Sequence, residues 1–337
     1  MNSKQSSNQH PLVPENGNSL LLEIGTEEIP ARFLPSAISN LKDIAAKTLD
    51  EYRVGYRNIS TYATPRRLAL IAGGVEPAQR DVTKEIFGPS RKVAFDEQGN
   101  PTKAATGFAQ SAGVAVSDLK IKMKGKSEYI AAVIEEKGSE TKTVLPEIAK
   151  KIIMSLHFPK SMRWGNGSLH FARPICWILS LFNDEPFQFE LDGIKSSNMT
   201  KGHRFLSPAS YQVKSIDSYM SLLENNFVIL DQEKRKNSIR KNITALFNDP
   251  DTQPIIDEEL LEMVTYIVEY PVPVHCSFRS EYLTLPKELL ITVMKDHQKY
   301  FGVQDSNGSL LNHFVVISNT RAENAETVRI GAERVIK

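Results

Sequence analysis

Residues 158–182, FPKSMRWGNGSLHFARPICWILSLF, interleave Lys160, Arg163, His170 and Arg173 with Phe158, Trp164, Phe171 and Trp177. That combination suits recognition of a polyanion with stackable bases, because cations take phosphates while ring faces take base faces. Gly165 and Gly167 permit a tight bend that would bring the Arg163–Trp164 side towards the His170–Phe171–Arg173 side. The competing reading is a strand–turn–strand whose rings are core and whose cations are solvated. A second cluster, Lys201-Gly202-His203-Arg204-Phe205, offers His203 as an acid or base. No carboxylate or nucleophile stands beside it by spacing, so a hydrogen bond to phosphate or backbone is the preferred role. A third cluster is Lys295-Asp296-His297-Gln298-Lys299-Tyr300-Phe301.

The candidate nucleic-acid-facing residues are therefore Lys160, Arg163, Trp164, Arg173, His203, Arg204, Lys295 and Lys299. Arg204, Lys295 and Lys299 are expected to share one positive track with the Arg163 region. The alternative is that Tyr300 and Phe301 anchor a helix–hairpin junction and leave the lysines in solvent. Such a track would have to be local. Lys plus Arg number 41 against 40 Asp plus Glu, a net charge of +1, so no global basic field recruits RNA.

The elements that must position these residues read as mixed α+β. A strand over 19–24 leads to a helical stripe over 33–52, then strands over 56–62 and 67–72 separated by Thr64-Pro65. Residues 102–112 form a short helix, and Lys120, Lys122, Lys124 and Lys126 alternate as one face of a strand or as an edge guarded by charge. Gly125-Lys126-Ser127 is not a phosphate-binding loop, because Lys120 stands where that motif needs glycine. A strand over 129–135, a helix over 146–156, strands over 187–191 and 227–230, and a helix over 216–223 follow. Asp231 caps a helix to 247 whose outer face carries Lys234, Arg235, Lys236, Arg240 and Lys241. A helix over 257–268, a proline-marked edge strand over 270–278, a helix from Pro286, a hairpin turning at Asn307-Gly308 and a terminal helix over 325–337 complete the chain.

The length of 337 residues implies two or three domains. The expected division is a disordered leader over 1–18, an α+β domain over 19–140, a second α+β domain over 141–325, and a helix over 326–337 leading to further domains. The leader lacks the apolar centre of a signal peptide, and no apolar run approaches the ~20 residues that span a bilayer. A cytoplasmic protein is expected. The two cysteines, Cys176 and Cys276, are too few for a disulfide framework or a zinc site and read as buried thiols. No metal ligand is assigned.

EIGTEEIP, ATPRRLAL, PKSMRWG, HFARP, KGHRF and KDHQKYF occur in that order. The succession, spanning about residues 20–337, resembles the N-terminal half of the beta subunit of the bacterial two-subunit glycyl-tRNA synthetases. The resemblance implies an α2β2 ligase that joins glycine to its tRNA using ATP with Mg²⁺, with the class II catalytic core on the alpha subunit and tRNA recognition on the beta subunit. It implies no catalytic residue and no bound cofactor in this chain. No HIGH signature is present, and KSMRW is not a KMSKS loop. It further implies that the second domain is similar to the editing-domain-like module of the phenylalanyl-tRNA synthetase beta subunit, here as a binding scaffold. A glycine pocket excludes larger amino acids sterically and has little need of a sieve. Ile29, where the family usually has leucine, and Asp296-His297 depart from the pattern and leave His297 without a family role. Two other readings stay open: a stand-alone hydrolase of mischarged tRNA working near His203 or His297, and a structural assembly module without RNA contact.

Overall fold

The structure is a computed structural model that describes residues 17–336. It is a mixed α+β fold with mainly antiparallel sheets. The first strand, β1 (Asn18–Thr26), is buried along nearly its whole length because it is paired on both sides. A helix, α1 (Leu34–Glu51), follows, with Leu34, Ala37, Leu41, Ala45, Thr48 and Leu49 buried at helical spacing. The hairpin β2 (Asn58–Thr64) and β3 (Arg67–Val75) then returns, and β3 pairs antiparallel with β1.

Residues 52–55 and 76–144 form a compact unit of their own. It is a three-stranded sheet of β4 (Val82–Ser90), β5 (Lys120–Lys124) and β6 (Ser127–Glu136), with β6 in the middle. Helix Lys103–Ala112 carries its Thr102 cap, whose hydroxyl accepts from the Ala104 N–H, and ends at Gly113 in the left-handed region. Edge strand β5 is exposed at every residue, so its lysines guard an edge; Lys122 pairs with Glu85 at 2.7 Å.

The other unit comprises residues up to Glu51, Tyr56–Val75 and the chain from Leu145 onward. Its seven-stranded sheet runs β2-β3-β1-β7, where β7 is Ile175–Phe182, and continues through Ile194–Ser197 to Glu190–Leu191, with the short strand Glu185–Pro186 pairing with β7 off that path. This corrects the expected boundary at 140/141. β7 pairs with β1 from Leu20 to Thr26, so both sides of that boundary share one sheet, and the separate unit is an insertion. One sheet face carries Leu20 and Leu22 against Leu145, Ile148, Ala149 and Ile152 of helix Thr141–Met154. The other carries Leu21, Ala69, Ile71, Leu179 and Leu181 against Ile216, Tyr219 and Leu223 of helix Ile216–Asn225.

Further on, a four-stranded sheet orders Thr252–Pro254, Phe301–Asp305, Leu310–Ser318 and Val272–Ser277. Helices Gln232–Thr244 and Glu258–Thr265 cover one face through Ile239, Ile243, Leu260, Leu261 and Val264. Helix Ala325–Val335 and the segment 287–298 contribute Ala332 and Met294 to the core on Phe314 and Cys276. The proline-bearing strand is at the sheet edge, as expected. The expected strand over 227–230 is irregular instead: Phe227 takes φ +60°, and Ile229 spends its N–H on the Glu269 carbonyl. The strand expected over 187–191 shrinks to Glu190–Leu191.

Candidate functional site

Gly25 sits between Arg67 on β3 and Trp177 on β7 in one cross-strand row. A Cβ at Gly25 would lie 1.9 Å from the indole, so only glycine lets Trp177 lie over the β1 backbone. The Arg67 guanidinium then reaches the same ring, 5.6 Å from its centroid. Two residues earlier, on the same face, Glu23 is fully buried. Its carboxylate accepts from Trp177 Nε1–H, the Tyr219 hydroxyl and the Thr200 hydroxyl, and faces Arg67 Nη1 at 3.8 Å. Glu269 closes the other side of Arg67 at 3.4 Å and accepts from Thr64 Oγ1 at 2.7 Å. Burial by itself would lower the Arg67 pKa, but Glu269, Glu23 and Tyr219 outweigh it and hold the guanidinium above its ordinary value. Burial, followed by Glu23, pushes the Tyr219 phenol well up.

Around this charge cluster the motifs converge. Thr26 N–H donates to the Arg66 carbonyl at 2.8 Å and Ile29 N–H to the Pro65 carbonyl at 2.7 Å, while Glu27 N–H donates to the Pro174 carbonyl at 3.0 Å. EIGTEEIP thus lies between the TPRR turn and the end of HFARP. The Glu27 carboxylate reaches Arg204 of KGHRF at 3.1 Å. Cys176, expected to be buried, is exposed, because a register shift between Gly25 and Thr26 leaves it out of the β1 pairing.

The stretch 157–174 is a loop closed by reciprocal backbone bonds between Met162 and Phe171 at 2.8 and 3.1 Å. Phe171 is buried edge-on to Phe158, with ring centroids 4.7 Å apart. The two glycines serve different ends. Gly165 takes φ +56° at the turn, and a Cβ at Gly167 would strike the Asp192 carboxylate at 1.8 Å. That carboxylate clamps the loop by accepting from the Ser168 and Leu169 N–H groups, both at 3.1 Å. An open cavity of about 510 Å³ lies against the loop, lined in part by His157, Ser161, His170 and Asp192. Lys160 and Arg163 are exposed and Trp164 is half-buried. Arg173 is half-buried and donates to the Ala172 carbonyl. Among the described residues, none of Lys160, Arg163 and Arg173 makes an ion pair.

The remaining candidates are placed otherwise. His203 is fully buried. Its Nδ1 accepts from the Phe205 and Leu206 N–H groups at 3.2 and 3.1 Å, so it organises its own turn and cannot meet RNA. Arg204 is held by Glu27 and, at 3.7 Å, by Glu28. Lys295 lies between Asp257 at 2.8 Å and Glu259 at 3.0 Å. Lys299 adopts φ +62° and folds back to donate to the Asp296 carbonyl, ending the π-helical turn Val293–Gln298. The expected track is therefore neutralised at Arg204 and Lys295.

The basic helix face is corrected too. Lys234, Lys236 and Arg240 pair with Glu224, Glu262 and Glu258. Arg235 is fully buried, donating to the carbonyls of Thr265, Ile229, Leu230 and Ala63. Sequence reasoning missed Glu23, Arg67, Thr200, Tyr219 and Glu269, and placed Arg235 on an outer face. One signal was present: Glu23 interrupts the apolar run of β1, where a surface carboxylate has no place.

Residues 20–337 match the glycyl-tRNA synthetase beta subunit family. The chain belongs to that family. It is 50% identical over 318 residues to the glycine–tRNA ligase beta subunit of Thermodesulfovibrio yellowstonii, covering 94% of this chain and 47% of that one. The corresponding subunit of Clostridioides difficile is 46% identical over 320 residues, covering 95% of this chain and 46% of its own length. That of Moorella thermoacetica is 44% identical over 317 residues. The chain thus spans about half the length of the curated relatives it matches. Among the described residues, no helix is long and apolar enough to cross a membrane, and no cluster of His, Cys, Asp and Glu could hold a metal ion.

Proposed function

We propose that this chain is part of a tRNA-binding beta subunit of glycine–tRNA ligase. Its partner is an alpha subunit that carries the catalytic core, in an α2β2 assembly joining glycine to its tRNA with ATP and Mg²⁺ in the cytoplasm. The observation that carries the tRNA contact is the loop over 157–174. It presents Lys160, Arg163 and Arg173, which make no ion pair among the described residues, together with half-buried Trp164, whereas cations such as Arg204, Lys234 and Lys295 are matched by carboxylates. Unmatched cations can release counterions when they meet phosphates; matched ones must first give up a partner. The mixed sheets around this loop are read as a binding scaffold of the kind found in the editing-like module of the phenylalanyl-tRNA synthetase beta subunit. Hydrolysis at His203 is disfavoured, since a buried ring holding two backbone N–H groups has no access to an ester bond.

The test is tRNA binding measured across a salt series. Arg163→Ala and Arg173→Ala should each weaken binding and flatten the slope of log K against log salt by about one. Correctly folded variants with unchanged affinity and slope would refute the reading. With purified alpha subunit, this chain by itself should support little or no glycylation compared with a full-length beta subunit.

A further inference from the structure

Two cations outside the loop approach Trp177 without a carboxylate of their own. Arg66, from the TPRR turn, has its guanidinium 5.7 Å from the ring centroid, and Lys201, from strand Met199–Lys201, has Nζ at 5.1 Å. Arg66 is only 9% exposed, and its Nε has no hydrogen-bond partner. Lys201 is half-buried. Among the described residues, neither side chain makes an ion pair. Their neighbour Arg67, at the same ring, is balanced by Glu23 and Glu269, so the imbalance belongs to Arg66 and Lys201. The nearby acids are Glu27 and Glu28; both pair with Arg204, and Glu27 also accepts from the Cys176 thiol at 3.7 Å.

Further unpaired polar atoms lie on the same segments. Thr26 Oγ1 is buried without a partner. So is His203 Nε2, which carries the ring proton because Nδ1 accepts two N–H groups. Two like charges that converge on one indole without a carboxylate of their own form a pair of donors that an anion would complete.

We propose that Arg66 and Lys201 form a phosphate site beside Trp177, taking a backbone phosphate of the bound tRNA. Only the source of the phosphate rests on the function proposed above; the site itself rests on the unmatched cations. A planar guanidinium and a mobile ammonium converging from two segments suit a phosphodiester, which offers two free oxygens in different directions.

Cys176 supplies the reporter. It is exposed and lies one residue from Trp177; partial burial and then Glu27 push its thiol up, against the pull of Lys201 and Arg66, and the second cysteine, Cys276, is buried. The experiment measures the rate of Cys176 alkylation by iodoacetamide, read by peptide mass, with uncharged tRNA, ATP or inorganic phosphate, while tRNA binding is followed separately. tRNA is expected to slow the reaction at least about fivefold, and Lys201→Gln to abolish most of that protection while lowering the salt slope by about one. Arg66→Gln should act alike; if it fails to fold, Lys201→Gln, at the less buried of the two positions, still decides. Protection by ATP or inorganic phosphate as strong as that by tRNA would support the site with a nucleotide or free phosphate as its occupant. Unchanged alkylation although tRNA binds would overturn the site and leave the proposed function standing. If tRNA does not bind, the proposed function fails, and the ATP and phosphate arms alone decide: protection supports the site, none overturns it.

Discussion

Arg67 of the TPRR turn and Arg163 of the 157–174 loop both belong to arginine-bearing motifs, yet the protein treats them oppositely. Arg67 is enclosed between Glu23 and Glu269, with its charge reinforced by both. Arg163 stands in solvent with no ion pair among the described residues. Arg235 gives a third case inside the core. It is surrounded by carbonyl oxygens, and burial, opposed by Glu269, Tyr266 and Asp231, draws its pKa down to about 10. Carboxylates hold a buried guanidinium charged, carbonyls satisfy its N–H groups without neutralising it, and water leaves it available. Availability to a polyanion is therefore decided by partners, and the arginine count of a motif says little about it.

The comparison breaks most sharply at Arg67. Replacing it by Met strands Glu23 and Glu269 in the core, and the loss of one partner from a buried ion pair costs about 3–5 kcal/mol. Urea denaturation should show a loss of that size; a loss under about 1 kcal/mol would contradict the pairing of Arg67 with Glu23 and Glu269 as a stabilising contact. Next comes Gly25→Ala, whose Cβ would overlap the Trp177 ring. Overpacking of this kind costs roughly 1–3 kcal/mol, accompanied by a change in the near-ultraviolet signal of the indole. Asp192→Ala, on the loop side, frees the Ser168 and Leu169 N–H groups. Its expected cost is smaller, about 1 kcal/mol, because water can replace part of the clamp, but proteolysis should quicken within 157–174.

Lys295→Ala should have a still smaller effect, and one that depends on pH. Hydrogen bonds from Lys295 and the Leu260 N–H hold the Asp257 carboxyl below its usual range. A depressed folded value means that this contribution is present above the unfolded pKa of about 3.9 and fades as pH falls through the folded value. The difference in urea midpoint between wild type and Lys295→Ala should therefore persist from pH 7 to about pH 4 and shrink on further acidification. A difference that grows in acid would contradict this. The smallest change belongs to Arg163→Ala: stability within about 0.5 kcal/mol of wild type, with the effect confined to tRNA binding. A large loss of stability there would erase the contrast with Arg67.

Much of the architecture was legible because its causes are local. The stripe of α1, the cap at Asp231, the turn at Asn307-Gly308 and the proline-marked edge strand depend on neighbours within a few residues. The succession of motifs likewise pointed to the family before any contact was known. What only the tertiary structure decided is which charges remain to meet a partner. Thr64 and Arg67 meet Glu269 from about two hundred residues away, His203 is buried and holds the Phe205 and Leu206 N–H groups, and the 76–144 unit interrupts a sheet that periodicity reads as two separate domains. Periodicity and capping are short-range properties written along the chain. Burial and ionic pairing are set by groups that become neighbours only when β1 closes between β3 and β7.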